Sequence, residues 1–193
     1  MNRGSATRDT PSPFSNLGGL VDIKSFIRDI PDFPKPGILF KDITPLLANG
    51  AAFRQVVDRI AERYRGRVDM VLGIESRGFI LGAPVAYALG CGFAMVRKPG
   101  KLPADTYAAE YALEYGVDRL EIHRDAFGHP CRVVLVDDLL ATGGTSSAAI
   151  QLIERLGGEV IECAFVIELT FLNGRQRLNP RSIFSLLQYD GEQ

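Results

Sequence analysis

The chain has 193 residues, 46% of them hydrophobic and 23% charged, with a net charge of −1. Such a chain suits one globular domain whose core could bury roughly 70% of the unfolded surface, and neither a disordered nor a membrane class is favoured. The near-neutral balance argues against a non-specific nucleic-acid surface, which needs basic excess, and no apolar run approaches the ~18 residues of a membrane span.

Residues 1 to about 19 read as a disordered tail, with Pro11, Pro13 and Gly18-Gly19 and no hydrophobic periodicity. Arg3 and Arg8 lead no apolar stretch, so no secretory signal is expected and the reducing cytoplasm is the default compartment. Residues 20–193 are expected to form one domain. Ile23, Phe26, Ile27 and Ile30 make a short helical stripe that ends before Pro31. Segment 31–43 holds too many prolines for a helix and reads as a stiff extended arm, a small N-terminal hood with a strand-like end. Phe53, Val56, Val57, Ile60, Ala61 and Tyr64 then mark an amphipathic helix.

Met70–Ile74 is a buried strand that runs through Glu75-Ser76-Arg77-Gly78 into a helix bearing Phe79, Ile80, Ala83, Ala86 and Leu89, stopped by Gly90. Phe93–Val96 is the next strand. Thr106–Tyr115 and Asp118–His123 are strand-like pieces joined at Gly116, a long hairpin standing off the sheet. Val133–Val136 is a further strand, followed by a helix with Ala149, Leu152, Ile153 and Leu156 that stops at Gly157-Gly158. Val160–Leu169 is a strand, and Ile183–Leu187 closes the chain as an edge strand. Strands alternating with helices predict an α/β fold, a parallel sheet with helices on both faces.

Cys91, Cys131 and Cys163 are odd in number and lack CxxC spacing, so they read as reduced thiols rather than zinc ligands. His123 and His129 have neither cysteine partners nor i,i+4 spacing, and read as surface or hairpin histidines.

The most informative run is Val133-Val134-Leu135-Val136-Asp137-Asp138-Leu139-Leu140-Ala141-Thr142-Gly143-Gly144-Thr145. A buried strand ends in two carboxylates, then a glycine pair bracketed by threonines opens a helix. Ligands of open α/β sheets sit beyond the carboxyl ends of strands. Ala141 to Thr145 can gather backbone N–H groups and hydroxyls around a phosphate at the positive end of a helix dipole. Asp137 and Asp138 would repel that phosphate, so they face sugar hydroxyls, a metal or a developing cation.

This run resembles the diphosphoribosyl-binding motif of the type I phosphoribosyltransferases. Asp32-Phe33-Pro34-Lys35-Pro36-Gly37, Phe40-Lys41-Asp42-Ile43, Glu75-Ser76-Arg77-Gly78-Phe79, Arg97-Lys98, Leu113-Glu114-Tyr115-Gly116 and Phe184-Ser185-Leu186-Leu187-Gln188-Tyr189 are similar to segments of its adenine-using members. The likeness runs from Ile30 to Tyr189. It implies transfer of a ribosyl 5-phosphate from phosphoribosyl diphosphate to N9 of adenine, giving AMP and diphosphate, by a homodimer that binds neither nucleic acid nor membrane.

The resemblance also assigns roles. Asp137 and Asp138 would stabilise the ribosyl cation and accept from its hydroxyls. Ala141, Thr142, Gly143, Gly144 and Thr145 would hold the 5′-phosphate. Arg77 would contact the diphosphate, beside a cis peptide at Glu75-Ser76. Arg97, Lys98 and Lys101 would reach a diphosphate across the dimer. Mg²⁺ would arrive with the substrate, since no protein carboxylate cage is evident. Glu114, with Tyr115 beside it where the hairpin serves as a flexible lid, would exchange the purine proton. Leu39 and Lys41 would select adenine, because an extended backbone offers the N–H and C=O that its N1 and 6-amino group require, whereas hypoxanthine reverses both. Many relatives carry arginine where this chain has Lys41.

Two other readings remain. A regulator of the same fold that senses phosphoribosyl diphosphate would lack the lid glutamate or carry a basic face. The same chemistry on another base is disfavoured by the proline-rich arm and the Leu-Glu-Tyr-Gly lid. A dinucleotide site is disfavoured because Gly90-x-Gly92 precedes a strand, and no Walker-A Gly-Lys-Thr or Gly-Lys-Ser occurs.

Overall fold

Pro31 decides how the chain begins in the computed structural model, which describes residues 20–112 and 117–191. The Ile23–Ile30 stripe, expected as a helix, forms only a 3₁₀ turn at Ile23–Phe26 before entering strand β1 (Arg28–Ile30). A single turn so close to proline cannot repay helix nucleation. β1 pairs antiparallel with β2 (Phe40–Asp42), with Asp29 opposite Lys41, so the arm expected over 31–43 ends in a strand that pairs with residues before it. Helix α1 (Thr44–Ala48) follows with Pro45 in its first turn, and α2 (Gly50–Tyr64) is capped by the Asn49 side chain.

β3 (Met70–Ile74), α3 (Arg77–Leu89) and β4 (Gly92–Val96) make the first parallel crossover. β5 (Thr106–Ala112) and β6 (Val117–His123) form a separate antiparallel ribbon. β7 (Cys131–Leu140), α4 (Gly144–Arg155) and β8 (Gly158–Leu169) make the second crossover. The turn α5 (Gly174–Arg177) leads to β9 (Ile183–Tyr189), which pairs parallel with β8. The main sheet has five strands in the order β4-β3-β7-β8-β9.

Alternate residues of the central strands feed two cores. Val71, Val134, Val136, Ala164 and Val166 pack with Val56, Ile60, Leu81 and Val85 of α2 and α3. Leu72, Leu135, Cys163 and Phe165 pack with Ala149, Leu152 and Ile153 of α4 and with Leu120 and Ile122 of β6. Strands buried on both faces read as unbroken apolar runs, which is why they were legible. Apolar β-ribbon residues thus seat the root of the hairpin on α4. The expectations for the tail at 1–19 and for Glu114, Tyr115 and Gly116 at the hairpin end lie outside the described residues.

Candidate active site

β7 runs four residues beyond the expected Val136 end, so Asp137 and Asp138 lie within the strand rather than after it. The ladder to β8 continues through Asp137 opposite Phe165 and Leu139 opposite Ile167. Periodicity cannot extend a strand into charged residues, whereas hydrogen bonds to a neighbouring strand can. Gly78, at the start of α3, lets the helix approach: a Cβ there would lie 2.9 Å from both Asp137 Oδ1 and the Val136 carbonyl oxygen.

The two carboxyls share one desolvated position. Burial pushes the Asp137 carboxyl well above the usual carboxylate range, and the neighbouring Asp138 charge pushes it further. Burial also raises Asp138, opposed by the Arg77 cation. Arg77 Nε lies 3.0 Å from Asp138 Oδ2, close enough for attraction but not aligned to donate, so this buried oxygen has no hydrogen-bond partner. Asp137 Oδ1 accepts from the Asp138 N–H at 3.0 Å. Burial therefore resists two full charges on the pair, and Asp138 Oδ2 is left open as an acceptor for a ligand hydroxyl.

Beyond the strand, Gly143 adopts φ 78°, a left-handed turn that needs glycine, and α4 starts at Gly144. The first-turn N–H groups of this 12-residue helix, with Thr142 and Thr145, face a cleft of about 310 Å³. Asp137, Asp138 and Ala141 to Thr145 line it on one side; Glu75, Ser76, Arg77, Lys98 and Tyr111 line the other. The Glu75–Ser76 peptide bond is cis. Lys98 Nζ and the Tyr111 hydroxyl both donate to Asp118 Oδ2, at 2.8 and 2.9 Å, and this holds the Asp118 carboxyl at about 2.

Not every expected residue reaches this cleft. Arg97 is committed to Glu75 through Nε at 3.2 Å and Nη2 at 3.1 Å, and donates to the Lys101 carbonyl at 3.0 Å. Lys101 and Leu39 do not line it, and neither does Lys41. The Lys41 ammonium pairs with Asp29 at 2.8 Å and sits 4.3 Å from the Tyr189 ring centre. Phe40, between Leu39 and Lys41, places its ring 5.1 Å from the Arg77 guanidinium and so brings the hood to the site. Glu75, Ser76, Tyr111, Leu139, Leu140 and Ser146 also line the cleft and were missed as site residues. The alternation of β5 could have pointed to Tyr111, but nothing local marks Ser146.

A wider depression of about 820 Å³ lies near β9. Its carboxylates are already satisfied, Glu162 by Arg63 and Tyr64 and Glu168 by Arg175, so it offers a ligand little charge. Among the described residues, no helix is long and apolar enough to cross a membrane.

A phosphoribosyl transferase domain model matches residues 43–187. An adenine phosphoribosyltransferase of Chloroflexus aurantiacus is 64% identical over 87% of this chain and 98% of its own length. The crystal structure of adenine phosphoribosyltransferase from Thermoanaerobacter pseudethanolicus is 55% identical, covers 86% of this chain and 98% of its own, and superposes with a TM-score of 0.84. The Saccharomyces cerevisiae enzyme, complexed with adenine and an imino-altritol bisphosphate, is 42% identical over 86% of this chain and 96% of its own, with a TM-score of 0.81. The fold is that of the type I phosphoribosyltransferases, and by these matches the chain belongs to the adenine phosphoribosyltransferase family.

Proposed function

We propose that the protein transfers the 5-phosphoribosyl group of phosphoribosyl diphosphate to N9 of adenine, forming AMP and releasing diphosphate. The observation that carries this reading is one cleft holding a buried carboxylate pair beside a helix-capping phosphate cradle. Ala141 to Thr145 bind the 5′-phosphate, a group that does not react, and the binding energy is used to align the anomeric carbon. As the bond from that carbon to diphosphate breaks, Asp137 and Asp138 stabilise the cationic ribosyl ring. Cation development draws the pair toward its fully ionised state, so its stabilisation grows toward the transition state.

Arg77 and Lys98 meet the departing diphosphate. Mg²⁺ suits this oxygen-rich site and, carried in on the substrate, supplies charge neutralisation of the leaving group. The bond from N9 to the anomeric carbon then forms, and Glu114, with Tyr115 beside it, takes the proton that N9 loses. The adenine named with the yeast relative supports the choice of base. With the Lys41 side chain occupied by Asp29 and Tyr189, the Leu39 and Lys41 main chain is the part of the arm left to read that base.

Residues 20–193 act as one cytoplasmic domain that pairs with a second copy of the chain. Lys101 at the rim reaches the neighbour's diphosphate, and Arg97 orients Glu75. The test is to incubate the protein with phosphoribosyl diphosphate, Mg²⁺ and each free base, and to identify the nucleotide formed. Adenine is expected to give AMP, with hypoxanthine and guanine poorer by ~10²-fold or more. Comparable turnover of hypoxanthine overturns the reading.

A further inference from the structure

The turn after β8 is built directly against the phosphate cradle. A Cβ on Gly174 would lie 2.1 Å from the Ala141 carbonyl oxygen and 3.0 Å from Leu140 Cδ1. A Cβ on Gly143 would in turn lie 2.8 Å from the Gly174 carbonyl oxygen. No side chain separates the two backbones, so the path of residues 141–143 follows the place of Gly174.

That place is set by a clamp on a buried carboxylate. Arg175, the next residue, donates from Nε to Glu168 Oε1 at 2.9 Å, from Nη2 to Oε2 at 2.5 Å and from Nη1 to the Ile183 carbonyl at 3.1 Å. Glu168 has a side chain only 3% exposed, and its Oε2 also accepts from Ser185 at 2.7 Å and Gln188 at 3.2 Å. In the sheet register Glu168 stands opposite Leu140, the residue before the cradle. The Arg175 side chain is 47% exposed, so the pair is anchored by its buried carboxylate, and its bidentate geometry fixes orientation more than it adds stability.

We propose that Gly174 and the Arg175–Glu168 pair are positioning residues for the 5′-phosphate loop, acting through the backbone of 141–143 without touching substrate. The proposal rests on the reading of that loop as the 5′-phosphate cradle. An anion cradle depends on the aim of its N–H groups, so a shift approaching 1 Å is felt in affinity. Only ligands that carry the 5′-phosphate should feel it, since Arg77 and Lys98 lie on the opposite wall of the cleft.

The test is calorimetric titration of ribose 5-phosphate and, separately, of Mg²⁺-diphosphate into the wild type and the variants Gly174→Ala, Arg175→Ala, Arg175→Lys and Thr142→Ala, with melting curves for each. Gly174→Ala and Arg175→Ala are expected to weaken ribose 5-phosphate about tenfold or more and to leave diphosphate within about twofold. Arg175→Lys, which keeps the charge but loses the fork, should recover part of the loss. If Gly174→Ala fails to fold, Arg175→Ala carries the test. Equal weakening of both ligands in step with a lowered Tm overturns the proposal in favour of a merely structural role. Unchanged ribose 5-phosphate affinity in both variants, with Thr142→Ala weakened, overturns the proposal alone. If Thr142→Ala also binds normally, the cradle reading falls and takes the proposal with it.

Discussion

Replacing Gly78 with alanine should separate catalysis from binding. The new Cβ would stand 2.9 Å from Asp137 Oδ1 and from the Val136 carbonyl oxygen, about 0.5 Å inside the 3.4 Å of ordinary contact. That carbonyl cannot retreat, because β7 is laddered on both sides to β3 and β8. The strain must be taken up by the Asp137 carboxyl or by the first turn of α3. Overpacking costs ~1–3 kcal/mol, while alanine in a helix recovers up to ~1 kcal/mol over glycine. The net loss is then ~0–3 kcal/mol, or a fall in Tm of at most ~12 °C for a chain of this size.

Turnover should suffer as well. A misplacement of about 1 Å at a reacting centre costs ~10²-fold, so half that distance corresponds to about tenfold in kcat. Affinity for ribose 5-phosphate, held by the loop at 141–145, should stay within about twofold. Steady-state kinetics with adenine, a melting curve and a ribose 5-phosphate titration on the same preparation give all three numbers. A folded variant with wild-type kcat refutes the reasoning, and so does a loss of ribose 5-phosphate affinity as large as the loss of turnover.

Asp137→Asn should lower kcat by about 10²–10³ and yet raise stability. The folded-state carboxyl lies above its unfolded value, so the wild type is favoured at low pH and loses that contribution as pH rises through the folded value. Asparagine escapes this loss, and at neutral pH the gain should be on the order of 1 kcal/mol, read as a Tm rise of ~2–4 °C; a lowered Tm there would refute the charge argument. Glu114→Gln should depress single-turnover rates by up to ~10²–10⁴ with phosphoribosyl diphosphate affinity unchanged, whereas Thr142→Ala should weaken that affinity. Normal turnover of Glu114→Gln removes it from proton transfer. Lys41→Met should leave the KM for adenine within about threefold, because Asp29 is 46% exposed and can be rehydrated while the main chain still reads the base. A tenfold rise would assign the lysine side chain a direct part.

The alternation of strands and helices from Met70 onward, the doubly covered parallel sheet and the glycine turn that opens α4 were legible in the chain. Their signals are local: unbroken apolar runs such as Val133–Val136, helical spacing in α2 and α4, and glycines where a turn needs them. Even the carboxylate pair was visible as adjacent residues beside a glycine-threonine turn. Tertiary structure alone decided that β7 continues through Asp137 and Asp138, because pairing with β8 outweighs the poor strand preference of aspartate. It also decided the fate of the basic residues. Arg97, Lys98 and Lys41 look alike as solvated charges in the sequence, yet Glu75 claims the first, the cleft and Asp118 the second, and Asp29 with Tyr189 the third. Those partners lie 22, 20, 12 and 148 positions away for Glu75, Asp118, Asp29 and Tyr189 respectively. The contact between Gly174 and Ala141 is equally silent in sequence, since periodicity reports which face a residue presents and says nothing of what the fold brings against it.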